Sequence, residues 1–162
     1  MAMHDDLTGL ANRRYFEQVF ERTLNQAGRS QSCFGLLSID LNDFKPVNDT
    51  HGHATGDHLL KIVAERLRKA TRAGDFCARI GGDEFAVLCS PIKDPTDLDT
   101  ITRNLKQALS SPFAPDDIAV PTSASIGWAA YPADGDNLTR LSACADLRMY
   151  ADKQEQKAAS RA

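Results

Sequence analysis

No apolar run in this 162-residue chain approaches the roughly 18 residues needed to cross a bilayer as a helix. A basic excess is missing too. Lys and Arg number 19 against 22 Asp and Glu, a formal net charge of −3, so the chain shows no electrostatic footprint for nucleic acid. The four cysteines, Cys33, Cys77, Cys89 and Cys144, form no CxxC pair. Three of them lie in apolar-rich runs, and all four read as buried reduced thiols of a cytosolic protein rather than disulfides or zinc ligands. A phosphate-binding GxxxxGK[ST] loop, a GxGxxG turn and a GxSxG elbow are all absent. The opening "MAMHDD" carries no charged-then-apolar leader pattern, and no repeat or low-complexity linker breaks the chain. What remains is ordinary for a soluble single domain: 42% hydrophobic and 25% charged residues, enough for one core.

The periodicities order themselves readily. Tyr15, Phe16, Val19, Phe20 and Leu24 recur at helical spacing, and Gly28 is a natural stop. "SCFGLLSIDL" reads as a strand buried on both faces, hence central. The segment "TGDHLLKIVAERLRKA", from Thr55, is an amphipathic helix. "DFCARI" and "DEFAVLC" are strands joined by Gly81-Gly82, a two-residue hairpin signal. A helix follows over 96–109, then the strand "PTSASIGWAAYP", then a helix from near Asn137. Only "QEQKAASRA" looks loosely organised. The expectation is an α+β fold: a ferredoxin-like β-α-β-β-α-β antiparallel sheet core, of the nucleotidyl cyclase or polymerase palm type, with flanking N- and C-terminal helices.

A right-handed crossover returns the chain in the same direction, so the first two strands end at one edge. That sets Asp83, in the hairpin, beside Asp40, at the end of the first strand. Two carboxylates about 4 Å apart repel by about 4 kcal/mol at an effective dielectric of about 20. A hard divalent cation turns that repulsion into binding, and oxygen ligands suit Mg²⁺. Asp83 taken alone would be a solvated acid beside a turn; with Asp40 it becomes a metal candidate. In the loop after Asp40, Asn48 and Asp57 have the donors and acceptors to read a guanine edge. From spacing alone, turn and helix-cap chemistry is the commoner reading of both. His51, His53 and His58 do not complete a zinc pattern.

Five segments in order, "DDLTGLANR", "DLNDFKPVNDTHGHATGDHLL", "RAGDFCARIGGDEF", "SASIGWAAYP" and "ADLRMYADK", give the chain its resemblance. Over nearly its whole length it resembles the GGDEF domain of bacterial diguanylate cyclases. The resemblance implies a single domain over 1–162, a fragment of a larger regulator whose sensor lies elsewhere and which could also carry an EAL phosphodiesterase domain. It implies condensation of two GTP into cyclic di-GMP and pyrophosphate across an antiparallel homodimer, in the cytoplasm or on a membrane-anchored parent. Asp40, Asp83 and the backbone carbonyl of Leu41 would hold Mg²⁺, with Mn²⁺ as an alternative. Asp83 and Glu84 would be the catalytic acids. Asn48, Asp57 and His53 would receive guanine, Lys45, Lys153 and Lys157 the triphosphate, and Gly81 and Gly82 the close approach of the nucleotide. Arg72 and Asp75 match the family's RxxD product-inhibition site, with Arg103 as a further contact. Two places depart from the pattern. Asn42 stands where the family has the second aspartate of DxD, and "DKQEQK" stands where it has AKxxGR. The rival expectation is a non-catalytic GTP- or cyclic-di-GMP-binding module controlling an attached output domain.

Overall fold

The computed structural model describes residues 2–114 and 119–161. Helix α1 (Arg13–Ser30) starts at Asn12, whose side chain accepts from the Tyr15 N–H. It runs past Gly28 and ends where Gln31 turns left-handed. The sequence put the stop at Gly28, but a helix tolerates a lone glycine, and Gln31 supplies the reversal. Strand β1 (Cys33–Leu41) follows, then α2 (Phe44–His51), α3 (His53–Ala70), β2 (Phe76–Gly81), β3 (Glu84–Ile92), α4 (Asp97–Leu109), β4 (Ala124–Tyr131) and α5 (Leu138–Arg161).

The sheet order is β2-β3-β1-β4, with every neighbouring pair antiparallel. This is the expected ferredoxin-like sheet, with β1 central. Side chains alternate between its two faces. Leu37, Ile39, Leu41, Phe85 and Val87 pack with Leu59, Leu60, Val63 and Leu67 of α3 and Leu98 and Leu105 of α4. Phe34, Leu36, Ala86, Leu88 and Ala129 pack with Phe16 and Phe20 of α1 and Leu141 and Ala145 of α5. The continuous apolar run of β1 is therefore matched by helices on both sides.

Three expectations change. The segment after Asp40 is not a plain loop but contains α2, and α3 begins two residues before Thr55. The tail expected to be loose is helical to Arg161, in keeping with the good helix propensity of Gln, Glu, Lys and Ala. All four cysteines are free, yet only Cys89 is fully buried. Burial pushes the Cys89 thiol up to about 12, which leaves it inert.

Candidate functional site

The hairpin between β2 and β3 stands at the end of β1. Its turn residues are Gly82 and Asp83, not Gly81 and Gly82: Gly81 pairs with Glu84, and the register shifts between Arg79 and Gly81. Gly82 takes a left-handed φ of 44°, which a side chain would disfavour. The turn is braced from below. Arg79 donates through Nε to the Gly82 carbonyl at 2.9 Å and through Nη1 to both Asp5 oxygens at 3.1 and 3.2 Å. Asp5 also accepts from the N–H and hydroxyl of Thr8, and these bonds hold its carboxyl below its ordinary range against the opposing effect of burial. Asp5 and Arg79 went unremarked in the sequence as supports for the hairpin; their position inside the opening and hairpin motifs was the available signal.

Asp83 does lie beside Asp40. The Leu41 N–H donates to the Asp83 carbonyl at 3.2 Å, and Asp40 is directly paired with Glu84 across β1 and β3. Burial first, and the Asp40 charge second, push the Asp83 carboxyl above its ordinary range. Glu84 is raised for the same two reasons, with Asp146 adding to them. Directly paired residues project to one side of a sheet, so Asp40 and Glu84 share a face. Glu84 lines a cavity of about 340 Å³ between α1 and α5, together with Arg13, Ser38, Asp146 and Tyr150.

A cation already answers the acids. Lys153 of α5 donates from Nζ to Asp40 Oδ2 at 2.5 Å, and this bond raises the lysine. Among the described residues, no group of three or more His, Cys, Asp or Glu side chains is arranged to hold a metal. Two carboxylates and a carbonyl still fit Mg²⁺, which commonly keeps water and takes substrate phosphates to fill its shell.

Asn48 lies half-buried on α2, and its Oδ1 is buried with no hydrogen-bond partner. Gly56 of α3 lies against that carboxamide, and Asp57 follows on the exposed side. A buried acceptor left unpaired costs about 1–3 kcal/mol, an expense expected at a ligand site. His53 opens α3 and is exposed, as is Lys45 on α2. Lys153 and Lys157 line a second cavity of about 210 Å³ with Asn42, Asp43, Ser123 and Gln156.

The structure sets Arg72 and Asp75 apart from this cluster, before β2, while the hairpin follows it. Six residues of strand, about 20 Å, lie between. Arg72 donates from Nη2 to Asp75 at 2.8 Å and from its backbone N–H at 2.8 Å, and the Asp75 side chain is almost fully buried. Arg103 is exposed on α4, and among the described contacts none joins it to Arg72 or Asp75.

The sheet, the braced hairpin and the paired acids define an α+β domain of the nucleotidyl cyclase type. The chain belongs to the diguanylate cyclase GGDEF domain family, whose model matches residues 2–159. It is 43% identical over 155 residues to the bifunctional diguanylate cyclase/cyclic di-GMP phosphodiesterase MucR of Pseudomonas aeruginosa, covering 96% of this chain and 22% of the relative. To the diguanylate cyclase TpbB of the same species it is 39% identical over 161 residues, covering 99% of this chain and 37% of that one. The solved GGDEF domain of TpbB superposes with a TM-score of 0.90 at 40% identity, covering 94% of this chain and 89% of that one. The GGDEF domain of DgcB from Caulobacter crescentus, solved in complex with c-di-GMP, gives 0.86 at 28% identity and covers 96% and 92%. The chain thus spans well under half the length of these two curated relatives. No helix among the described residues is long and apolar enough to cross a membrane.

Proposed function

We propose that this domain condenses two GTP molecules into cyclic di-GMP and pyrophosphate, each of two facing copies holding one GTP. The observation that carries the reading is the meeting of Asp40, Asp83 and Lys153 at one strand end, two acids and a cation where a metal and a phosphate chain would meet. Asp40, Asp83 and the Leu41 carbonyl would hold Mg²⁺ or Mn²⁺. Bound there, the ion would neutralise phosphate charge and polarise the reacting phosphoryl group.

The chain's own residues do the rest. Asn48 and Asp57 orient the base: the carboxamide meets the guanine carbonyl side, and the carboxylate accepts from N1–H and the exocyclic amine. His53 lines that pocket. Lys45, Lys153 and Lys157 bind the triphosphate, and the bare hairpin at Gly81 and Gly82 lets the ribose and α-phosphate approach the backbone. Asp83 takes the proton of the attacking 3′-hydroxyl from its place at the hairpin turn beside Asp40. Glu84 supports the same acid cluster from β3. Positioning and charge stabilisation account for the catalysis. Arg72 and Asp75 bind product and slow turnover, the arginine fork reaching a guanine edge or phosphate. Arg103 is the weaker candidate for that site.

The test is incubation of a forced dimer with GTP and Mg²⁺. Cyclic di-GMP is expected, and replacing GTP with ATP abolishes product. Tight GTP binding without product in the forced dimer would defeat the cyclase reading in favour of a binding module.

A further inference from the structure

The apolar grip on α5 ends early. Leu141 and Ala145 are its buried residues, yet the helix continues to Arg161. Lys153 and Lys157 therefore sit about 12 and 18 Å beyond the last buried anchor, at 1.5 Å per residue. Helix propensity alone holds such an end weakly, since most helical stability in proteins comes from packing.

Hydrogen bonds take over there. Asn42, just past the end of β1, donates through Nδ2 to Gln156 Oε1 at 2.8 Å and to Ser123 Oγ at 2.9 Å. Its Oδ1 accepts from the buried Ser125 hydroxyl at 2.7 Å. Gln156 Nε2 donates onward to the Ala124 carbonyl at 3.0 Å and to Asp152 Oδ2 at 3.1 Å. Asp152 also accepts from the Ile126 N–H at 2.9 Å, and its Oδ1 accepts from Lys106 of α4 at 2.5 Å. The chain of bonds links the ends of β1 and β4 with α4 and α5, and both carboxamides use both ends. Asn42, Asp152 and Gln156 are also three of the four positions where the chain leaves the family's DxD and AKxxGR patterns, Lys157 in place of arginine being the fourth. These three departures are thus joined to one another rather than scattered.

Residues 152 and 156 lie one turn apart on α5, and 153 and 157 form the adjacent row. Pinning the first row sets the direction of the second, which faces the 210 Å³ cavity beside Asp43. We propose that Asn42, Gln156 and Asp152 are positioning residues for a polyphosphate, holding α5 so that Lys153 and Lys157 present their charges to one phosphate chain. The proposal rests on the reading of those lysines as triphosphate ligands.

Titration calorimetry with inorganic tripolyphosphate and, separately, with GMP tests it, on the wild-type chain and on Asn42→Ala, Gln156→Ala and the double variant. Each single change should weaken tripolyphosphate about three- to tenfold, the equivalent of one net hydrogen bond. The double variant should lose little more than either, because both cut the same network. GMP affinity should hold, and amide exchange over 153–157 should quicken. Tripolyphosphate affinity unchanged in both single variants would overturn the positioning role, as would an equal loss for GMP, which marks general loosening. Failure of the wild-type chain to bind tripolyphosphate would instead remove the phosphate reading of the lysines, and the proposal with it.

Discussion

Replacing Gly56 by alanine would strike the proposed base pocket without touching a proposed reacting group. A Cβ at Gly56 would sit 1.7 Å from Asn48 Oδ1 and 2.7 Å from its Cγ. No nonbonded pair survives at that separation, so the carboxamide must rotate away or α2 must part from α3. Overpacking costs about 1–3 kcal/mol, partly offset by about 1 kcal/mol from the better helix propensity of alanine. The chain should therefore fold with a modest loss of stability. Binding suffers more specifically. Losing the carboxamide's hydrogen bond to the base while leaving base atoms unpaired is worth about 1–3 kcal/mol, or about 5- to 150-fold in affinity. Calorimetry with GTP and with tripolyphosphate separates the two ends of the ligand: GTP should weaken within that range and tripolyphosphate should not change. Asn48→Ala should reproduce the loss, and the two changes together should not add. A folded Gly56→Ala chain binding GTP as tightly as wild type would refute the placement of guanine against Asn48.

Other consequences follow from the acids and from the arginine. Lys153→Met removes the cation on Asp40, so Mn²⁺ should bind about two- to fivefold more tightly without nucleotide, given the modest worth of a partly exposed pair; unchanged affinity would show that the lysine does not compete. Asp83 carries a raised carboxyl, so the folded chain holds its proton more tightly than the unfolded chain does. Stability from this group is then lost as pH rises from the ordinary carboxylate range through the folded value, and the penalty is complete above it. Asp83→Asn should accordingly raise Tm at neutral pH without metal and leave it unchanged at about pH 3; a uniform shift at all pH values would contradict that cause. Arg72→Ala should relieve inhibition by cyclic di-GMP and leave the initial rate similar, and persistence of inhibition would defeat the RxxD assignment.

Much of the architecture was legible because burial writes itself as periodicity. The run Phe34 to Leu41 marks a central strand, and the crossover rule alone brings Asp40 to Asp83. Helix α2 was not legible. Pro46, Asn48, Asp49 and Thr50 have the composition of a turn, yet proline needs no N–H within the first turn of a helix. The hairpin turn lies one residue later than its two glycines suggest, because Gly81 pairs with Glu84 across a register shift that the residue pattern does not show. Least visible was the bond between Asn42 and Gln156, which lie 114 residues apart. Nothing local distinguishes those carboxamides from solvated ones, and read singly they looked like losses from the family pattern.

In the proposed function, Asp40 and Asp83 hold a divalent ion against the phosphates of GTP. Pulsed electron paramagnetic resonance of Mn²⁺ with a nonhydrolysable GTP analogue addresses it directly. The wild-type chain should show bound Mn²⁺ with phosphorus hyperfine coupling, and Asp83→Ala should lose the protein-bound signal while circular dichroism remains that of the folded chain. The same coupling and Mn²⁺ affinity in Asp83→Ala would contradict the account.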